Sequence, residues 1–320
     1  MSLPKSRMRD AFLQSIKDRM EKEEDIFFLT ADFGSPVLDD LQQAFPDRFI
    51  NVGISEQNLV NVSTGLSLEG YRVVAYAIAP FITMRCLEQI RVNLAMLSQV
   101  RPLNVTLVGV GAGYSYQVSG PTHQALEDIA LMRALPNIGV WSPADSATAG
   151  LMAHQALDTQ GVRYVRMDGH PLPELEPAPT TEDLQRGFRL RGTPGAMTAV
   201  ISTGYMSHLA VAVRDELEAG GIPVRSVDLM NLASPELSAL AAELASCRAI
   251  LTMEEGFIGR GGMDGLLNMQ LAPHLPKAKW AHAGLTPHYR FEIGPREELL
   301  AANGLAPTAL ADRVRELING

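Results

Sequence analysis

A carboxylate, an imidazole and a guanidinium stand at places in this sequence where a parallel α/β fold gathers ligands. In NVGISEQNLVNVSTGLSLEG a short apolar strand enters a turn, and Ser55, Glu56 and Gln57 open a helix. Glu56 has two readings. With Ser55 as N-cap, its charge is favoured by the helix dipole and needs no further purpose. Alternatively, it sits at the C-terminal end of a strand, ahead of a helix apolar on nearly every face. There it is partly desolvated and able to share a proton with a ligand. His123 lies in the glycine-rich loop GAGYSYQVSGPTHQ. A single histidine in a turn is commonly structural, yet a strand-end loop also places it to meet a substrate. Arg166 closes the strand VRYVRM, where a guanidinium can grip an oxyanion in a bidentate way or form a salt bridge at the surface or between domains. The paired acids Glu254 and Glu255 in MEEGFIGRGGMDG suggest acid–base work, but a structural role is the stronger reading for them. His282 and His288 are read as structural, and His170 is notable only for its nearness to Arg166.

These residues must be held by a scaffold, and the chain supplies an α/β one. Strand-like apolar runs (DIFFLTAD, Phe49 to Ile54, RVVAYAI, PLNVTLVGV, IGVWSP, VRYVRM) alternate with helical segments (Met8 to Lys22, Gln57 to Glu69, Thr83 to Leu97, LEDIALMRAL, SATAGLMAHQAL). A proline- and acid-rich stretch without hydrophobic period follows and reads as a linker. Beyond it AMTAVIST, VRSVDL, AILTME and KAKWAH predict four more strands. The expected division is residues 1–172, a linker at 173–192, and 193–320. A length of 320 residues with 46% hydrophobic and 20% charged side chains suits two cores. A net charge of −9 without a basic run argues against nucleic-acid binding. No apolar run is long enough to predict a membrane span, and no secretory leader is recognised. The two cysteines, Cys86 and Cys247, lack metal spacing, so a reducing cytoplasm fits.

GISEQNLVNVSTGLSLEGYRVVAYA resembles the pyrimidine-binding domain of transketolases and deoxyxylulose phosphate synthases. SGPTHQALEDIALMRALPNIGVWSPADSATAGLM is similar to their Gly-Pro-Thr-His-Gln, acidic-helix, Leu-Pro-Asn and Pro-Ala-Asp run in spacing as well as residues. The resemblance implies two three-layer α/β/α domains, the first with a largely parallel sheet, the second with a mixed one. It implies thiamine diphosphate as cofactor, with Glu56 hydrogen-bonding the aminopyrimidine and favouring the imino tautomer that removes the thiazolium proton. His123 then faces the reacting sugar carbons. Phe81, with Ile82 beside it, is the candidate for stacking on the pyrimidine, although a core phenylalanine carries equal weight. Asp32 falls near the cofactor or the dimer interface, with simple termination of its strand as the other reading, and Arg166 falls at the substrate phosphate. Ser119 stands where transketolases acting on the usual sugar phosphates carry an aspartate that reads a hydroxyl. The loop also lacks the family's histidine, and Tyr114 and Tyr116 suggest a differently shaped pocket.

The family's diphosphate-binding signature, Gly-Asp-Gly followed by Asn, does not occur in this sequence. The resemblance therefore implies half a site. A separate diphosphate-binding subunit is expected to hold Mg2+ or Ca2+, with no metal ligand on this chain. The expected assembly is a heterotetramer with two copies of each polypeptide, arranged around a homodimer core of this one. Sugar transfer of a two-carbon ketol unit is the expected activity. The alternatives are the beta subunit of a 2-oxo acid dehydrogenase, which usually shows His-Ser-Gln where this chain has Thr122-His123-Gln124, and a non-catalytic paralogue of the same fold.

Overall fold

The computed structural model describes residues 5–32 and 34–319. A two-residue strand β1 (Lys5–Ser6) pairs antiparallel with β8 (Leu172–Pro173). Between them β2 (Ile26–Thr30), β3 (Phe49–Asn51), β4 (Arg72–Ile78), β5 (Asn104–Val110), β6 (Ile138–Trp141) and β7 (Gly161–Met167) form one sheet in the order β3-β2-β4-β5-β7-β6, every pair parallel. The second sheet contains β9 (Phe188–Gly192), β10 (Thr198–Ser202), β11 (Val224–Leu229), β12 (Ala249–Phe257) and β13 (Lys279–Leu285) in the order β13-β12-β10-β11-β9. It is mixed because β9 runs antiparallel to β11 while the remaining pairs are parallel.

The unbroken apolar runs of β4 and β5 follow from burial on both faces, the usual state of a parallel sheet. Val73, Ala75, Val105 and Leu107 point one way, onto Leu59 and Val60 of the helix Glu56–Leu68 and onto Ile82, Ile90 and Leu94. Phe28, Val74, Tyr76 and Val108 point the other way, onto Phe12, Leu13 and Ile16 of the helix Met8–Met20 and Met152 of the helix Ser146–Asp158. Period-two alternation thus splits each strand between two helical layers. Asp145 secures the start of the latter helix by accepting from the Thr148 backbone N–H at 2.8 Å.

Two expectations needed correction. The stretch 173–192 is not bare linker. Thr180 and Asp183 form a reciprocal capping box that starts the helix Thr181–Arg186, Gly187 ends it at φ 79°, and β9 follows, so the second sheet has five strands rather than four. The segment expected as a regular helix from Thr83 to Leu97 begins earlier, and wide π-turns at Phe81–Arg85 and Ile90–Met96 flank a single α-turn. Such turns often mark functional segments.

Because the first sheet is parallel, the loops after β2, β3, β4, β5 and β7 all leave from one edge. Asp32, Glu56, Phe81, His123 and the residues after Arg166 therefore share one side of the sheet, where open α/β folds bind ligands.

Candidate functional site

Glu56 is the first residue of its helix and only 3% exposed. Ser55 occupies the N-cap position without a side-chain capping bond, and Glu56 stands in the first turn, where the helix dipole favours its charge. The carboxylate also pairs with Arg85, whose Nη1 donates to Oε2 at 2.6 Å. Among the described residues no hydrogen bond reaches Oε1. The Arg85 guanidinium carbon lies 4.5 Å from the centre of the Phe81 ring. That ring in turn meets the His123 imidazole edge-on, with centroids 5.2 Å apart and planes at 69°. A carboxylate, a guanidinium, an aryl face and an imidazole thus form a continuous row built from three strand-end loops. His123 Nδ1 lies 3.0 Å from the Thr122 hydroxyl, which sets the ring's orientation. Sequence reasoning missed Arg85. Its nearness to Phe81 in the chain was the one hint, because the helix was expected to begin only at Thr83 and the wide turn joining the two residues left no pattern.

The other singled-out residues are placed differently. Ile82 does not flank Phe81 at the surface. Successive helical residues point about 100° apart, and Ile82 is fully buried in the core against the sheet. Asp32, at φ 52°, donates its backbone N–H to Asn51 Oδ1 and accepts from Asn51 Nδ2, both at 3.1 Å, which ties the ends of β2 and β3 together. Ser119 is exposed near the tip of the loop that carries His123. Tyr114 is buried beneath that loop, and Tyr116 packs across Gly111.

Arg166 is 2% exposed, and its guanidinium is closed on protein groups. Nε donates to Asp128 Oδ2 at 2.8 Å, and Nη2 donates to the carbonyls of Ala125 and Glu255 at 3.1 and 3.0 Å. The contacts describe a buried ion pair inside the first domain, with a single hydrogen bond to the Glu255 carbonyl reaching the second sheet, rather than a salt bridge at the surface or between domains. His170 lies 3.2 Å from the Gln117 amide. His282 bridges Thr252 and Asn268 at 2.8 and 2.9 Å, a structural use, whereas His288 lines a cavity of about 340 Å³ together with Glu127, Phe257, Arg260 and Tyr289.

Glu254 is buried and accepts backbone N–H groups from Met263 and Asp264 at 2.9 and 2.8 Å, holding the start of the helix Met263–Gln270. Burial pushes its carboxyl up to about 7, the N–H groups oppose the rise, and the Asp264 charge adds to it. A raised carboxyl contributes stability that is complete below its unfolded value near 4.5 and is lost as pH rises through the folded value. Between pH 5 and pH 8 the loss is expected to be on the order of 3 kcal/mol. Urea unfolding of the chain and of Glu254→Gln at both pH values checks this. The variant should lose that part of the pH dependence, and parallel profiles would refute the assignment.

Two α/β domains, the first with a ligand edge on an all-parallel sheet, set the class of fold. The model of the transketolase pyrimidine-binding domain matches residues 5–171, and the chain belongs to that family. It is 29% identical over 273 residues to an apulose-4-phosphate transketolase subunit of Actinobacillus succinogenes, covering 84% of each chain. It is 25% identical over 252 residues to a 6-deoxy-6-sulfo-D-fructose transketolase subunit of Clostridium sp. (strain MSTE9), covering 78% of this chain and 76% of the relative. Among solved structures, one described as a split-gene transketolase, inactive beta4 tetramer, matches with a TM-score of 0.82 at 28% identity over 99% of both chains.

Proposed function

We propose that this chain is the pyrimidine-binding subunit of a cytoplasmic, thiamine-diphosphate-dependent transketolase assembled from two kinds of polypeptide, moving a two-carbon ketol unit between a ketose and an aldose. The row Glu56–Arg85–Phe81–His123 carries this reading. It fits the pyrimidine end of the cofactor: a buried carboxylate with Oε1 unengaged by any described residue, beside a half-buried aryl face. When bound, the cofactor supplies the carbanion chemistry. Glu56 would hold the ring nitrogen, Phe81 would cover the ring, and His123 would exchange a proton with the sugar at the far end of the row. Among the described residues no group of three or more His, Cys, Asp or Glu could hold a metal ion. In this reading Mg2+ or Ca2+ and the diphosphate belong to the partner polypeptide. We take residues 1–172 as the first domain and 193–320 as the body of the second, whose sheet also takes in β9 from the intervening 173–192.

The names of the relatives favour this over the 2-oxo acid dehydrogenase reading, since both are transketolase subunits. The related split-gene protein described as an inactive β4 tetramer supports self-association of this chain without activity. Exposed Ser119, in the place of a hydroxyl-reading aspartate, supports a donor outside the usual sugar phosphates. Equal use of xylulose 5-phosphate and ribose 5-phosphate at full rate would end that idea.

Calorimetry of thiamine diphosphate with Mg2+ tests the whole reading, first on the chain alone and then on its mixture with a diphosphate-binding subunit. Tight binding and ketol transfer are expected only in the mixture. Tight binding by this chain alone would refute the split site, and no binding in either sample would favour the non-catalytic reading.

A further inference from the structure

The loop that carries His123 leaves β5 at Gly111 and closes on itself at a neck. The Gly113 N–H donates to the Ala125 carbonyl at 3.0 Å, and the Ala125 N–H donates back at 3.2 Å. Gly113 adopts φ 57°, and a Cβ there would run into the carboxylate of Glu255, which comes from β12 of the second sheet. Glu255 is buried, and both its oxygens are held by Arg296, from Nε at 2.9 Å and from Nη2 at 2.5 Å. The third guanidinium nitrogen, Nη1, donates to Asp168 just beyond β7 at 2.5 Å. The face of the guanidinium lies 3.5 Å from the Tyr205 ring centre. On the other side of the neck, Arg166 Nη2 joins the carbonyls of Ala125 and Glu255. The neck is thus clasped by charges from both sheets, each fixed by at least two partners in a setting that water does not reach.

We propose that Glu255 and Arg296 are positioning residues for the transfer site: the second sheet presses a fixed carboxylate against the neck at Gly113 and so sets the place of His123 against Phe81. No atom of either residue need touch the sugar. A guanidinium fork engaging two carboxylates has one geometry, and a carboxylate so held is a rigid wall rather than a mobile side chain. This gives the second domain a part in catalysis, acting through the loop that crosses to it. The consequence for His123 rests on the functional reading above, whereas the clasp itself does not.

The test uses the intact chain with Glu255→Gln, which keeps shape but breaks the charge pairing, and Arg296→Lys, which keeps charge but loses the fork. Amide exchange read by mass spectrometry should rise by about tenfold or more over residues 111–126 and stay within about twofold over 249–253. The ring-proton resonance of His123, assigned by its loss in His123→Asn, should move at least part of the way to its position in Phe81→Leu. In the assembled enzyme kcat should fall about ten- to a hundredfold with KM for the donor changed by less than about threefold. Unchanged exchange at the neck, or an equal rise throughout the second sheet, overturns the proposal. An assembled wild-type enzyme without ketol transfer would instead overturn the functional reading, while exchange and the His123 resonance still decide the clasp.

Discussion

Glutamine in place of Glu56 is expected to leave the chain folded while lowering ketol transfer by the assembled enzyme by about 10²–10⁴-fold. The two halves of that result come from different atoms. Stability is little affected because the counter-ion, Arg85, has a side chain that is 44% exposed and can be rehydrated when the charge is removed. A pair of that exposure contributes no more than about 1 kcal/mol, and the near-isosteric amide retains an oxygen for Arg85 Nη1. Activity is lost because an amide cannot carry the proton that a carboxylate shares with the ring nitrogen in the proposed reaction. Urea midpoints of the two chains should agree within that margin. Transfer rates and calorimetric affinity for thiamine diphosphate in the assembled enzyme should separate them. A Glu56→Gln enzyme within about threefold of wild type would remove Glu56 from the chemistry.

The fold was legible where burial leaves a compositional mark. β4 and β5 are covered on both faces and read as nearly unbroken apolar runs. The turn at Ser55-Glu56-Gln57 and the Gly-Pro-Thr-His-Gln loop announced themselves by residue type at a strand end. β9 left no such mark, because two of its residues, Arg189 and Arg191, are buried only by pairing with Asp228, with Arg189 also reaching Asp145. A strand whose inward side chains are charged looks like a surface segment in sequence. Arg85 was hidden for another reason: its role depends on wide helical turns that bring it over Phe81, and hydrophobic pattern does not encode them. The clasp around His123 was hidden by distance along the chain, since Arg296 and Asp168 are 128 residues apart and Arg166 and Asp128 are 38 apart. Local reading sees each as one unexplained charge, and the same limit left Arg166 open between a phosphate and an ion pair.

That choice carries the second large expectation. Methionine at position 166 should lower the unfolding free energy of the chain by about 3–5 kcal/mol, the usual cost of leaving one member of a buried pair behind. Asp128 is 0% exposed, and its Oδ1 already lacks a hydrogen-bond partner, so Oδ2 bears the whole compensation. Oδ2 accepts from Arg166 Nε and from the Tyr164 hydroxyl, each at 2.8 Å. Removing the guanidinium leaves a buried carboxylate with a neutral donor alone, and it strips the carbonyls of Ala125 and Glu255 of their shared N–H. Adding Asp128→Leu to Arg166→Met removes the orphaned charge, and most of the lost stability should return, because well-packed apolar replacements of a buried pair are often neutral. If Arg166 mainly held a substrate phosphate, the outcome would be reversed: stability within about 1 kcal/mol of wild type, no recovery in the double variant, and a raised KM for phosphorylated sugars alone. Urea unfolding of the wild-type, single and double variants separates the two roles before any substrate is known. A large loss that the second substitution restores would make Arg166 a buried structural partner of Asp128, one step behind the histidine whose loop it helps to fasten.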